Sequence, residues 1–124
     1  MKKEVRIHWV KGYGEGEVYY TLVFREKAIT ICKLTEKIVS RKKRFKGKID
    51  NAIIQALIQR QDYGFCEDIP YDEITRINRS SFNDKICLMI ELKSGETLFF
   101  YIDYKKKELL KQGLRLYKKY MNLC

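Results

Sequence analysis

The chain has 124 residues, 45% hydrophobic and 34% charged, with 26 Lys and Arg against 16 Asp and Glu and a net charge of +10. That length suits one domain, residues 1–124, and buries about two-thirds of its unfolded surface, enough for a core without staples. One proline, seven glycines and 13% aromatic residues exclude a disordered, collagenous or linker-rich chain. In Val5–Val10 the period-2 pattern predicts a strand with Val5, Ile7 and Trp9 on one face. Gly12, Gly14 and Gly16 follow as a flexible turn. Glu17 to Arg25 alternates cleanly, with Val18, Tyr20, Leu22 and Phe24 facing one way. Glu26-Lys27 then turns the chain into a second β segment, Ala28–Leu34, to make a hairpin. A weaker strand is expected over Lys37–Phe45.

The period changes at Ile53, Ile54, Leu57 and Ile58, which recur at helical spacing behind Asp50 as N-cap. That short helix is expected to end near Asp62, and the acidic residues from Asp62 to Glu73 read as a solvated loop. Pro70 opens an extended segment, and Ile74–Arg79 reads as a strand with a bulge between Ile74 and Ile77. Ile86–Leu92 and Leu98–Ile102 alternate around the tight turn Ser94-Gly95, the best-defined hairpin of the chain. The C-terminal segment is an amphipathic helix. Leu109, Leu110, Gly113, Leu114, Leu116, Tyr117, Tyr120 and Met121 make its apolar stripe, and lysine and arginine cover the other side. The sum is an α+β fold: about six or seven antiparallel strands in a curved sheet, an inserted short helix, and a terminal helix that plugs one open end.

The order of elements, ending in hairpin and helix, resembles a pleckstrin-homology-like (PH-like) domain, and more narrowly the small bacterial PH-like and GRAM-like proteins. The residues that carry the likeness are Ile69-Pro70-Tyr71-Asp72-Glu73-Ile74, the hairpin from Leu92 to Phe100, and the inserted segment Gly47 to Gln61. The likeness spans Glu17 to Met121. It implies a PH-like curved barrel and a non-enzymatic binding module. It also implies a headgroup site bordered by the connection after the first strand, where Lys11 and Arg25 correspond to part of the family's basic motif. The paired basic residues around them are missing.

Catalytic and metal chemistry find little footing. His8 is the only histidine, with no nucleophile or carboxylate at a telling spacing. The acidic cluster lacks the spacing of a calcium loop, and the cysteines lack that of a zinc site. The expectation is therefore no enzyme, no cofactor and no metal. Cys32, Cys66, Cys87 and Cys124 are at least 21 residues apart and read as free thiols. Met1-Lys2-Lys3 is followed by Glu4, Arg6 and His8 rather than an apolar run, so a cytoplasmic protein is expected, peripheral to the inner face of the membrane.

The charge is concentrated. Arg41, Lys42, Lys43, Arg44, Lys46 and Lys48 place six cations in eight residues, and residues 105–119 hold seven cations against Glu108. The remaining 13 basic and 15 acidic residues nearly cancel. A patch of this kind attracts polyanions by long-range steering. The expected partner is an anionic membrane surface or an acidic protein segment, held by the run at 41–48 with Lys11 and Arg25 as helpers. A nucleic acid held by the same cations, and self-association through a sheet edge or the aromatic face of Met89, Phe99 and Tyr101, are the alternatives.

Overall fold

A computed structural model of the chain describes residues 3–12, 18–34 and 63–122. The strand expected at 37–45, the helix expected at 50–62 and the basic run at 41–48 lie outside the described residues. Within them the chain forms seven strands: β1 (Val5–Gly12), β2 (Tyr19–Phe24), β3 (Ala28–Leu34), β4 (Tyr63–Pro70), β5 (Ile74–Phe82), β6 (Lys85–Leu92) and β7 (Thr97–Asp103). A helix, α1 (Lys107–Tyr120), ends the fold. The sheet is antiparallel throughout, in the order β4-β3-β2-β1-β7-β6-β5.

The sheet bends at its middle. β1 meets β7 only through Lys11↔Tyr101 and Gly12↔Phe100. The halves on either side fold toward each other, so Leu22, Phe24 and Ile29 of one share a single core with Leu88, Ile90 and Ile102 of the other. These inward residues are the ones whose alternation marks the strands, because a pleated strand sends every second side chain to the same face.

One assignment on β1 changes. Val5 and Ile7 are buried, but the next core residue is Val10, not Trp9. The β1–β2 register shifts between Ile7 and Val10, setting His8 and Trp9 against Thr21, and Trp9 adopts φ 59°. This bulge inserts one residue, which reverses the parity beyond it. Trp9 therefore leaves the core and stacks edge-on to Tyr19, centroids 5.6 Å apart.

The acidic stretch is also not a loop. Residues 63–70 pair along the whole of β3, from Leu34↔Tyr63 to Ala28↔Pro70. Glu67 and Asp68 are exposed and only Ile69 of that pair's neighbourhood is buried, so the hydropathy signal of this edge strand is faint. A turn of 3-10 helix, Tyr71–Glu73, leads into β5. Tyr71 is fully buried and donates its hydroxyl to the Arg25 carbonyl at 2.6 Å; burial pushes that hydroxyl's pKa up. The expected bulge is present, as a register shift between Ile74 and Arg76. In the β6–β7 hairpin the turn residue Gly95 takes φ 96°, the region that favours glycine.

α1 packs on β1 and β2 and closes one opening of the curved sheet. Leu110, Leu114, Leu116 and Tyr117 are buried, and Met121 packs against the same core. Its approach is set by Gly113: a Cβ there would lie 2.4 Å from Cδ2 of Phe24. No helix among the described residues is long and apolar enough to cross a membrane.

Candidate functional site

Among the described residues, four cations gather where β5 faces α1. Arg79 of β5 and Lys111, Arg115 and Lys118 of α1 line a cavity of about 230 Å³, floored by Leu114. The helical members fall at i, i+4 and i+7, so one face of α1 presents all three cations. The strand member reaches them through parity. Arg79 pairs with buried Leu88, and so lies on the inward side of the sheet, but α1 rests on β1 and β2, and beyond Ile77 that side of β5 is exposed. Arg79 is exposed there and turned toward the helix.

The cations differ in how far they are neutralised. Lys111 pairs with Glu108 at 3.6 Å, one turn back. Among the described residues no carboxylate comes within ion-pair distance of Arg79, Arg115 or Lys118. By contrast Arg76, three residues back along β5, is held by both oxygens of Glu91, one at 3.0 Å from Nη2. That pairing raises the Arg76 pKa and lowers that of Glu91. Among the described residues, then, three of the four cations of the cleft have no carboxylate partner. Two of its groups are guanidinium forks, which match a carboxylate or phosphate in two-point geometry.

The expected helpers are not brought together. Lys11 lies near the end of β1, between Tyr19 of β2 and Tyr101 of β7. Arg25 follows the far end of β2, where Val5 pairs with Phe24. There Arg25 pairs with Glu4 at 2.8 Å and donates to the Thr30 hydroxyl at 3.0 Å, and Thr30 donates in turn to Asp68. Its charge is used within the fold. Arg41, Lys42, Lys43, Arg44, Lys46 and Lys48 lie outside the described residues. Sequence reading identified the cationic side of α1 but not Arg79. Its only signal was an arginine on the core-facing parity of a strand.

A second cavity, about 340 Å³, lies at another opening of the sheet, walled by Tyr20, Ile31, Leu98 and Phe100 with Lys33 and Glu67 among its lining. One cation and one carboxylate on an apolar wall give it no selectivity for anions.

His8 sits in the β1 bulge, its Nδ1 3.0 Å from the Thr21 hydroxyl, while the Lys106 ammonium donates to its carbonyl. Burial first, then the positive charges of Lys106 and Arg6, lower its pKa to about 4. It is neutral at pH 7. The unfolded chain binds this proton near pH 6.5 and the folded chain only near 4, so stability falls as pH drops through that window. The expected loss is about 2 kcal/mol, allowing for the ring's partial exposure. Urea unfolding of His8→Gln at pH 7 and pH 4.5 should show a flatter acid limb than wild type; an identical limb would contradict this account.

The cysteine expectation is corrected. Cys32 and Cys66 are joined by a disulfide. They are direct partners in the β3–β4 register, which brings their Cα atoms to 4.0 Å. Cys87 is a free thiol. Among the described residues no three His, Cys, Asp or Glu side chains are grouped as metal ligands. No protein-family model matches this chain, and no curated protein matches it.

Proposed function

We propose that the chain is a non-enzymatic PH-like binding module that docks an anionic partner, and that an acidic protein segment is the partner that fits best. The observation that carries this is the cleft of Arg79, Lys111, Arg115 and Lys118. It is concave and lies between a strand and a helix, a shape suited to a chain rather than to a flat surface. The order of seven strands followed by a terminal helix agrees with the PH-like likeness. An acidic phospholipid surface is the second reading, and it rests on the run from Arg41 to Lys48. Cytoplasmic placement at the inner face of the membrane belongs to that second reading. In a reducing cytoplasm Cys32 and Cys66 are kept largely as thiols, so trapping their redox state in cells tests it.

Binding assays with an acidic peptide, anionic vesicles containing phosphatidylserine, and DNA and RNA oligonucleotides separate the readings. The module should bind the peptide most tightly, and the affinity should fall steeply as salt screens the cleft. Preferential binding to vesicles that is lost on changing Arg41, Lys42, Lys43 and Arg44 to serine would favour the lipid surface. Tight binding to one form of nucleic acid, or no binding to any anion at low salt, would overturn the proposal.

A further inference from the structure

Neighbouring strands place His8, Thr21, Cys32 and Cys66 in one row across the sheet. His8 lies in the β1 bulge against Thr21 of β2, Thr21 is the register partner of Cys32 on β3, and Cys32 is the partner of Cys66 on β4. Direct cross-strand partners point to the same face, with Cβ atoms about 5 Å apart. For Thr21 and Cys32 that face is the one opposite the core, because Leu22 and Ile31, the alternate residues of the same strands, are core members. Exposure is graded along the row. Cys66 is exposed, Cys32 is 5% exposed and Thr21 is fully buried. The Thr21 hydroxyl lies 3.0 Å from Nδ1 of His8, whose ring is neutral at pH 7 and so carries one proton. The disulfide is therefore reachable at one of its two sulfurs, and the other belongs to the strand partner of a hydroxyl held by an imidazole.

We infer that the Cys32–Cys66 bond is a thiol-exchange site, opened at Cys66 by a low-molecular-mass thiol, with Thr21 and His8 stabilising the Cys32 thiolate that leaves. The site is separate from the cationic cleft and does not rest on the docking proposal. Exchange proceeds by attack of a thiolate on one sulfur of a disulfide, and access decides which sulfur is attacked. The incoming thiolate meets Cys66 on β4, the last strand of the described sheet. A new S–S bond forms between it and Cys66 Sγ as the Cys32–Cys66 bond breaks, and the bonding pair leaves on Cys32 Sγ. The proton lost by the incoming thiol ends, by way of solvent, on Cys32, so the step balances with no other oxidant or reductant. A buried thiolate is a poor leaving group, because burial raises its pKa. A donor beside it offsets that penalty, since hydrogen bonds to an ionised group are the strong ones. Thr21 supplies the donor. Nδ1–H of His8 donates to Thr21 Oγ, which frees the hydroxyl proton to point at Cys32. The same arrangement readies Cys32 to attack the mixed disulfide and close the bond again. The product is a chain that carries the thiol as a removable group on β4.

The probe is reduced glutathione, added in limiting amount to the oxidised chain without oxygen and quenched into N-ethylmaleimide in denaturant. A thiol forms no adduct with a free thiol, so Cys87 gives no glutathione background. Peptide mapping should find glutathione on Cys66 and the maleimide on Cys32, in at least about tenfold excess over the reverse. The rate should be first order in glutathione and flat in urea below the unfolding transition, because the folded chain is the species that reacts. Thr21→Val keeps the side-chain shape and removes the hydroxyl, and should slow opening by about tenfold. Thr21→Ser should restore the rate, and His8→Leu should slow it as Thr21→Val does. Equal labelling of the two sulfurs, or a rate that rises with urea in step with the unfolded fraction, would overturn the inference, and this mapping on wild type needs no variant. A folded Thr21→Val or His8→Leu protein that reacts at the wild-type rate would overturn it as well.

Discussion

Removing the disulfide, by reduction or by Cys32→Ser with Cys66→Ser, should lower the unfolding free energy by about 4 kcal/mol. The bond joins residues 34 apart in sequence. It therefore confines the unfolded chain far more than the folded one, where the β3–β4 register already holds the two residues opposite each other. Denaturant unfolding with and without reductant measures the effect as a shift of midpoint. Among the described residues Cys87 is the free thiol and serves as the internal control, since its alkylation should leave the midpoint in place. The strand pairing itself should survive, because Ala28↔Pro70 and Ile29↔Ile69 hold the far end of β3–β4 and Tyr71 ties the following turn to Arg25. An unchanged midpoint on reduction would show that the cross-link contributes nothing.

The second large effect is expected at Gly113. Its missing side chain lets α1 rest against the ring of Phe24, with the nearest ring carbons 2.4, 2.7 and 2.9 Å from where a Cβ would stand. Phe24 is fully buried, so the ring has nowhere to retreat and the helix must move instead. Gly113→Leu should destabilise the fold by about 3 kcal/mol, at the upper end of overpacking costs. Gly113→Ala should lose less, because helix propensity returns about 1 kcal/mol. Combining Gly113→Ala with Phe24→Leu should recover part of the loss by opening space beneath the helix. Equilibrium unfolding in urea reads all three. A Gly113→Ala protein more stable than wild type would mean that the close approach of helix and ring is not real.

The parts of the fold that were legible in the sequence are those with one clear period. β6 and β7 alternate buried and exposed residues around Ser94-Gly95, and α1 buries Leu110, Leu114 and Tyr117 at helical spacing. Period-2 reasoning puts Trp9 on one face with Val5 and Ile7 because it assumes an unbroken ladder, and a bulge at His8 and Trp9 breaks it. β4 is faint in the sequence because an edge strand has one wet side and tolerates Glu67 and Asp68, so its charge reads as loop. The disulfide depends on register: Cys32 and Cys66 become partners only when β4 exists and pairs at one offset. The cleft was half legible. Lys111, Arg115 and Lys118 share a helix face by spacing alone, but Arg79 joins them only because the sheet bends and the inner side of β5 is exposed beyond Ile77.

On the proposed reading these four cations form one docking site. Calorimetric titration decides it, with a capped peptide of about eight residues alternating glutamate with valine added to wild type and to a variant with Arg79, Lys111, Arg115 and Lys118 changed to serine. Exposed substitutions of this kind should each move stability by no more than about 0.5 kcal/mol, so the variant's fold should hold. Salt-sensitive binding to wild type and a loss of at least about tenfold in the variant are expected, while changing the same number of cations at Lys3, Lys27, Lys85 and Lys93 should leave affinity nearly unchanged. Equal losses in the two variants would contradict it, because the protein would then be responding to its net charge rather than to the cleft.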